Sequence, residues 1–170
     1  SPSASPAPTP GIRWEQFAGR GTRDFPLVEG EAAMVQGDQV LREMVGSPPF
    51  LIRRICDSCA ESHKDIYYKR LTALPDSSEF NFFDLFLNNW FNTVSNTFHV
   101  DFELYSSRED ADKGINPWSY CNFNDGKVGF PRDCGPTGKF NNQWNSYTRN
   151  IATWSQTNGA DHGFYVGILD

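Results

Sequence analysis

The chain has 170 residues, with 15 Lys plus Arg against 21 Asp plus Glu and a formal charge of −6 at pH 7. That length fits one domain with one core, and the acidic balance excludes a general nucleic-acid binder, which carries the opposite sign. Aromatic residues make up 15% of the chain, too many for a disordered protein, and no apolar run approaches the roughly 20 residues of a membrane-crossing helix.

The first ten residues, Ser-Pro-Ser-Ala-Ser-Pro-Ala-Pro-Thr-Pro, hold four prolines and no apolar anchor. Such a stretch is an extended polyproline-type linker. We therefore read residues 1–12 as a disordered linker and 13–170 as a single globular module of a larger, secreted chain. Residues 11–30 read as loops and short strands anchored by Trp14, Phe17, Phe25 and Leu27. A helix is expected over Glu31–Val45, where Val40, Leu41, Met44 and Val45 share a face and Asp38 is a capping candidate. Gly46 and Ser47-Pro48-Pro49 end it.

Phe50–Cys56 and Asp65–Leu74 are rich in β-formers and read as strands, followed by a turn at Pro75-Asp76-Ser77-Ser78. Over Phe80–Trp90, the spacing of Phe82, Phe83, Phe86, Leu87 and Trp90 predicts a short helix capped by Asn81. His99–Tyr105 alternates strictly and reads as a strand with Val100, Phe102 and Leu104 on a core face. Ser106–Pro117 reads as a polar loop, and Trp118–Phe123 and Phe164–Leu169 as further strands. Many short strands, frequent turns and one or two short helices predict a mainly β fold. The expected form is an antiparallel, jelly-roll-like β-sandwich, with α+β as the alternative.

The four cysteines are Cys56, Cys59, Cys121 and Cys134. An even count in such a module predicts two disulfides and an extracellular setting. Three pairings are open, of which Cys56–Cys59 and Cys121–Cys134 close the more natural loops. A four-cysteine zinc site is disfavoured by the spacing of the second pair. A thioredoxin-like redox pair is disfavoured because no βαβ rhythm surrounds Cys-Asp-Ser-Cys.

Three constellations bear on chemistry. On the expected strand, His99, Asp101, Glu103 and Tyr105 share one face, and a carboxylate pair there would serve glycoside hydrolysis. In the 108–116 loop, Asp110 and Asp112 begin an oxygen-rich run suited to a structural calcium, although the spacing departs from an EF-hand. No cofactor is required. Finally, the Gly/Pro-dense segment 129–138 carries Arg132 beside Cys134. Trp118, Tyr120, Asn122, Trp144, Tyr147 and Trp154 mix flat aromatic faces with the amides of the Asn141–Asn145 stretch. Pyranose rings use such surfaces: rings stack on the aromatics, and side-chain amides pair with the hydroxyls.

In general character, a proline-rich linker leading into a disulfide-stapled, aromatic and amide-rich β module looks like the accessory carbohydrate-binding modules of secreted proteins. The leading expectation is thus a non-catalytic glycan-binding module, with Trp144, Trp118, Tyr120, Asn122 and Arg132 at the ligand. The alternatives are a polysaccharide-degrading enzyme using Asp101 and Glu103, supported by His99 or Tyr105, and a structural or adhesive cell-surface module.

Overall fold

The computed structural model describes residues 11–19, 31–91, 95–122, 126–144 and 162–169. The linker residues 1–10, Phe25, Leu27, Tyr147 and Trp154 lie outside these segments.

Five antiparallel strands form one sheet, in the order β1 (Ile12–Gly19), β5 (His162–Leu169), β2 (Phe50–Cys56), β3 (Asp65–Arg70), β4 (Phe102–Tyr105). The two strands most distant in sequence, β1 and β5, are neighbours, and β5 is inserted between β1 and β2. β1 starts at Ile12, inside the stretch read as linker, and its register shifts between Gln16 and Ala18.

Alternation along each strand sorts the side chains. Phe50, Ile52, Ile66, Tyr68, Phe102, Leu104, Phe164 and Val166 join the main core on one face. Helix α1 (Glu31–Val45) and helix α2 (Phe82–Leu87) close this face. The opposite face carries a smaller cluster of Leu51, Tyr67, Tyr105 and Ala111, flanked by Ile12 and Trp14. Helix α3 (Arg108–Lys113) contributes Ala111 to it. The fold is thus mainly antiparallel β with a few short helices and two disulfides. Among the described residues, α1 and α2 lie on the core face and no second sheet faces it.

Local chemistry accounts for the helices. The Asn81 side chain accepts from the Asp84 N–H at 2.7 Å, the expected cap of α2. Asp38 does not cap α1. It sits buried within that helix, where its carboxylate accepts from the Phe82 N–H at 2.6 Å and from Arg42 Nε at 2.8 Å. An acid inside α1 thereby holds the start of α2. Arg42 completes the joint by donating to the carbonyls of Pro75 and Phe80 at 2.6 and 2.5 Å. Gly37 is the point of closest approach, since a Cβ there would collide with the Phe83 ring.

Besides helix α3, which replaces much of the expected Ser106–Pro117 loop, three expected elements differ from the reading. β3 ends at Arg70 rather than Leu74. Trp118–Phe123 forms no strand among its described residues, only an isolated bridge between Tyr120 and Gly135. The segment read as a strand from His99 begins one only at Phe102, because residues 97–101 form a turn. There the Asp101 carboxylate accepts from the Thr97 N–H at 2.8 Å, His99 takes a φ of 68°, and Val100 is 62% exposed instead of facing the core.

Candidate functional site

The disulfides pair Cys56 with Cys59 and Cys121 with Cys134. The second closes the Gly/Pro-dense segment, which the core holds from within. Val128 and Phe130 are buried; the Val128 carbonyl accepts from the Trp90 N–H at 2.7 Å, and the Phe130 N–H donates to the Phe86 carbonyl at 3.0 Å. Outside the staple, Tyr120 and Gly135 exchange backbone hydrogen bonds, Ser119 N–H donates to the Pro136 carbonyl at 2.9 Å, and Phe140 N–H donates to the Asp133 carbonyl at 3.0 Å. The loop is therefore a fixed platform on a rigid scaffold, the usual setting of a binding surface.

Four of the five expected ligand residues meet on this platform. The Arg132 guanidinium lies over the Trp144 ring at 5.7 Å, and its Nε is 3.5 Å from the Asp133 carboxylate. Asn122 Nδ2 donates to the same carboxylate at 3.4 Å, and Lys139 Nζ stands 3.9 Å from it. Tyr120 is half-buried at the bridge to Gly135. Arg132 itself adopts a φ of 50°. That left-handed conformation is uncommon for a residue other than glycine. The fifth residue, Trp118, does not belong: it is 1% exposed, its indole N–H donates to Ser106 Oγ at 2.7 Å, and it packs on His63 at 4.9 Å. A tryptophan whose N–H finds an internal partner can be buried whole, which the polar flanks of Trp118 did not reveal.

His63 supports the platform from below. Its ring sits between Trp118 and Phe140, at 4.9 and 4.6 Å, and its Nε2 bonds the Cys134 carbonyl at 2.8 Å. Burial holds its pKa below the ordinary 6.5, the Cys134 carbonyl opposes this in part, and the nearby Arg54 charge adds to the lowering. A depressed folded value means that, as pH falls below 6.5, the unfolded chain takes up a proton that the folded chain refuses. This stability is fully present above 6.5 and is lost between 6.5 and the folded pKa, by at most about 1.4 kcal/mol per pH unit. Urea unfolding at pH 7.5, 6.5 and 5.5 checks this. The wild-type midpoint should fall across the last interval, and His63→Gln should remove that part of the slope.

The carboxylates of the expected strand are otherwise engaged. Asp101 lies in the turn and accepts from the Thr97 N–H and from Thr72 Oγ1 at 2.7 Å. Glu103, on β4, pairs with His99 Nδ1 at 2.8 Å across the turn. Tyr105 is buried in the smaller cluster. Alternation does not bring the four side chains to one open face, because residues 99–101 are not in the strand.

The segment read as an acidic loop is a helix over most of its length. Residues 108–113 form α3, with Ser107 Oγ accepting from the Asp110 N–H at 3.1 Å and Gly114, at a φ of 67°, closing its end. Asp112 pairs with Arg108 and Glu109 with Lys113, both four residues apart along the helix. Its acids therefore spread along a helix and do not converge on one point. Elsewhere among the described residues, Cys56, Cys59 and His162 gather ligand-type atoms within 4.8 Å, with both sulfurs engaged in the disulfide.

The sequence reading missed a second aromatic surface. On the smaller-cluster face, Arg53 lies over Trp14 at 5.2 Å and over Tyr67 at 5.3 Å and forms a bidentate pair with Asp65 at 2.7 and 2.8 Å. Strand alternation alone puts Arg53, Asp65 and Tyr67 on one side, but only the β1–β5 pairing brings Trp14 to them. Two cavities, of about 320 and 480 Å³, lie away from the stapled loop. The first is lined by Ile12, Val45, Leu51 and Ile168 among others, the second by Val35, Gln39 and Ser77 among others.

No helix among the described residues is long and apolar enough to cross a membrane. Two disulfides fit a compartment outside the reducing cytosol. Neither protein-family models, nor curated proteins, nor solved structures match this chain.

Proposed function

We propose that this protein is a non-catalytic, secreted carbohydrate-binding module of a larger chain, and that the stapled loop is its ligand surface. The single observation that supports this reading is the gathering of Tyr120, Asn122, Arg132 and Trp144 around the Cys121–Cys134 staple. There an indole ring, a guanidinium and a side-chain amide lie together, held in place by the buried Asp133 carboxylate. Vicinal hydroxyls of a sugar use such a stacking ring with donors and acceptors beside it, the guanidinium giving the stronger, charge-assisted bonds. The ligand class is a polysaccharide or oligosaccharide.

Passage of the full chain over a broad panel of immobilised polysaccharides, with product release followed in parallel, tests this. Retention without released products is the expected result. Released products would mean an enzyme. Neither retention nor release by folded protein would leave an adhesive or structural module.

A further inference from the structure

The Cys56–Cys59 disulfide stands beside a buried cation that has no carboxylate partner among the described residues. Arg54, on β2, is 0% exposed. Its guanidinium donates to the carbonyls of His63 at 2.7 Å and Gln143, lies 3.5 Å from that of Phe130, and is 3.6 Å from Cys59 Sγ. Its Nε has no partner, and no carboxylate pairs with it among the described residues. Burial pushes its pKa down to about 9, so the group is still a cation at neutral pH. A buried unpaired charge is costly, and the carbonyl dipoles offset only part of that cost. From the other side, His162 Nε2 on β5 is 3.9 Å from Cys59 Sγ. The remaining charges around the turn are the exposed Asp57 within it and the Glu61–Lys64 pair just beyond. Cys59 is partly exposed, whereas Cys56 is fully buried with Ser58 Oγ 3.8 Å from its sulfur.

We propose that Cys56–Cys59 is a reversible thiol–disulfide exchange centre, in which Arg54 stabilises the Cys59 thiolate and the substrate is a dithiol. The steric order follows from exposure. A substrate thiolate attacks the accessible Cys59 Sγ; the Cys56–Cys59 bond breaks, and Cys56 leaves with the bonding electron pair and takes up a proton. The second substrate thiolate then attacks its own sulfur in the mixed disulfide, and Cys59 leaves as a thiolate facing Arg54. The dithiol loses two electrons and becomes a disulfide. Cys56–Cys59 gains both electrons, one proton resides on Cys56, and the other passes to solvent. Stabilising the thiolate favours the reduced form and makes the disulfide a stronger oxidant, and a neighbouring Arg or protonated His is the usual means of lowering a thiol pKa. The centre is independent of the glycan reading, since it uses none of Tyr120, Asn122, Arg132 or Trp144.

Two measurements on the full chain decide this. In Cys56→Ser, where Cys59 is a free thiol, the pH profile of iodoacetamide alkylation should have its midpoint at least a full unit below the ordinary thiol value of about 8.5. Adding Arg54→Met should return the midpoint towards that value, and should the double variant not fold, the single variant decides alone. In glutathione redox buffers, with thiols trapped and located by peptide mass, Cys56–Cys59 should be reduced at a glutathione ratio at least tenfold more oxidising than Cys121–Cys134 requires. An ordinary midpoint in Cys56→Ser, equal resistance of the two disulfides, or stoichiometric zinc uptake by the reduced protein with protection of both thiols would overturn the proposal; the last would make the pair, with His162, a metal site.

Discussion

Replacing Arg70 with alanine should destabilise the protein by about 3–5 kcal/mol. Arg70 lies on the core face of β3 and is 1% exposed. It donates to the carbonyls of Thr72, Ala73 and Ser95 at 3.0, 3.2 and 2.8 Å, and to Tyr68 Oη and Asn96 Oδ1 at 3.2 and 3.4 Å. The three carbonyls belong to irregular chain on either side of the core and have no strand to bond. Removing the guanidinium leaves a cavity and unpairs the part-buried carbonyls of Thr72 and Ser95 at about 1–3 kcal/mol each, while that of the exposed Ala73 can turn to water. The desolvation of the cation is recovered, which brings the sum back into the stated range. Arg70→Met separates the contributions: it refills most of the volume, so whatever loss persists measures the unpaired carbonyls. Urea midpoints of both variants check this. A change below about 0.5 kcal/mol in Arg70→Ala, the scale of an ordinary surface substitution, would show that these loops find other donors.

Phe86→Ala should cost a similar amount, about 3–5 kcal/mol, by a different mechanism. Phe86 is fully buried on α2, and its ring meets those of Phe17, Tyr68, Phe82, Trp90, Phe130 and Phe164 at 5.0–6.5 Å. It thus links β1, β3, β5, its own helix and the stapled loop through one side chain. Four of its contacts are edge-on, an arrangement favoured by the ring quadrupoles. Neighbours that are themselves large and buried cannot collapse into the space, so the cavity persists. Phe86→Leu keeps most of the volume and should cost less, about 1–2 kcal/mol. Because Phe130 is one of the six partners, the alanine variant should also loosen the stapled loop, read as faster amide exchange at Val128 and Phe130 than at Ile66 on β3.

The elements most legible in the sequence are those whose local signals agree. β2 runs Phe50–Cys56 as expected, because a proline precedes it and a polar turn follows. α2 begins at its asparagine cap, and α1 carries its apolar face at helical spacing. Where two uses of one residue type compete, the reading fails. Ser107, Asp110 and Gly114 are a helix start and stop, yet the same acids resemble a cation loop, and only Ala111 faces inward to betray the helix. At residues 97–101, strand alternation lost to a side chain: Asp101 captures a backbone N–H and turns the chain before β4. The β1–β5 pairing joins the ends of the chain and has no local signature. Arg54 and Arg70 were the least legible, since an arginine in an alternating strand reads as a solvent-facing residue. Their burial follows from loop carbonyls that need donors, which only the folded chain reveals. The stapled loop was legible because Gly, Pro and Cys are dense there, and the burial of Trp118 was not, because its internal acceptor, Ser106, lies twelve residues away.

The most direct measurement of glycan binding at the stapled loop is affinity electrophoresis of the wild type and Trp144→Ala through gels containing the polysaccharides that retain the protein. Trp144 is half-buried, so its loss should leave the urea midpoint nearly unchanged. We expect the wild type to be retarded and the variant to lose at least tenfold in affinity, as truncation of an aromatic hot spot does. Equal retardation of the two proteins would place the ligand elsewhere, and absence of retardation for both would contradict glycan binding by this module.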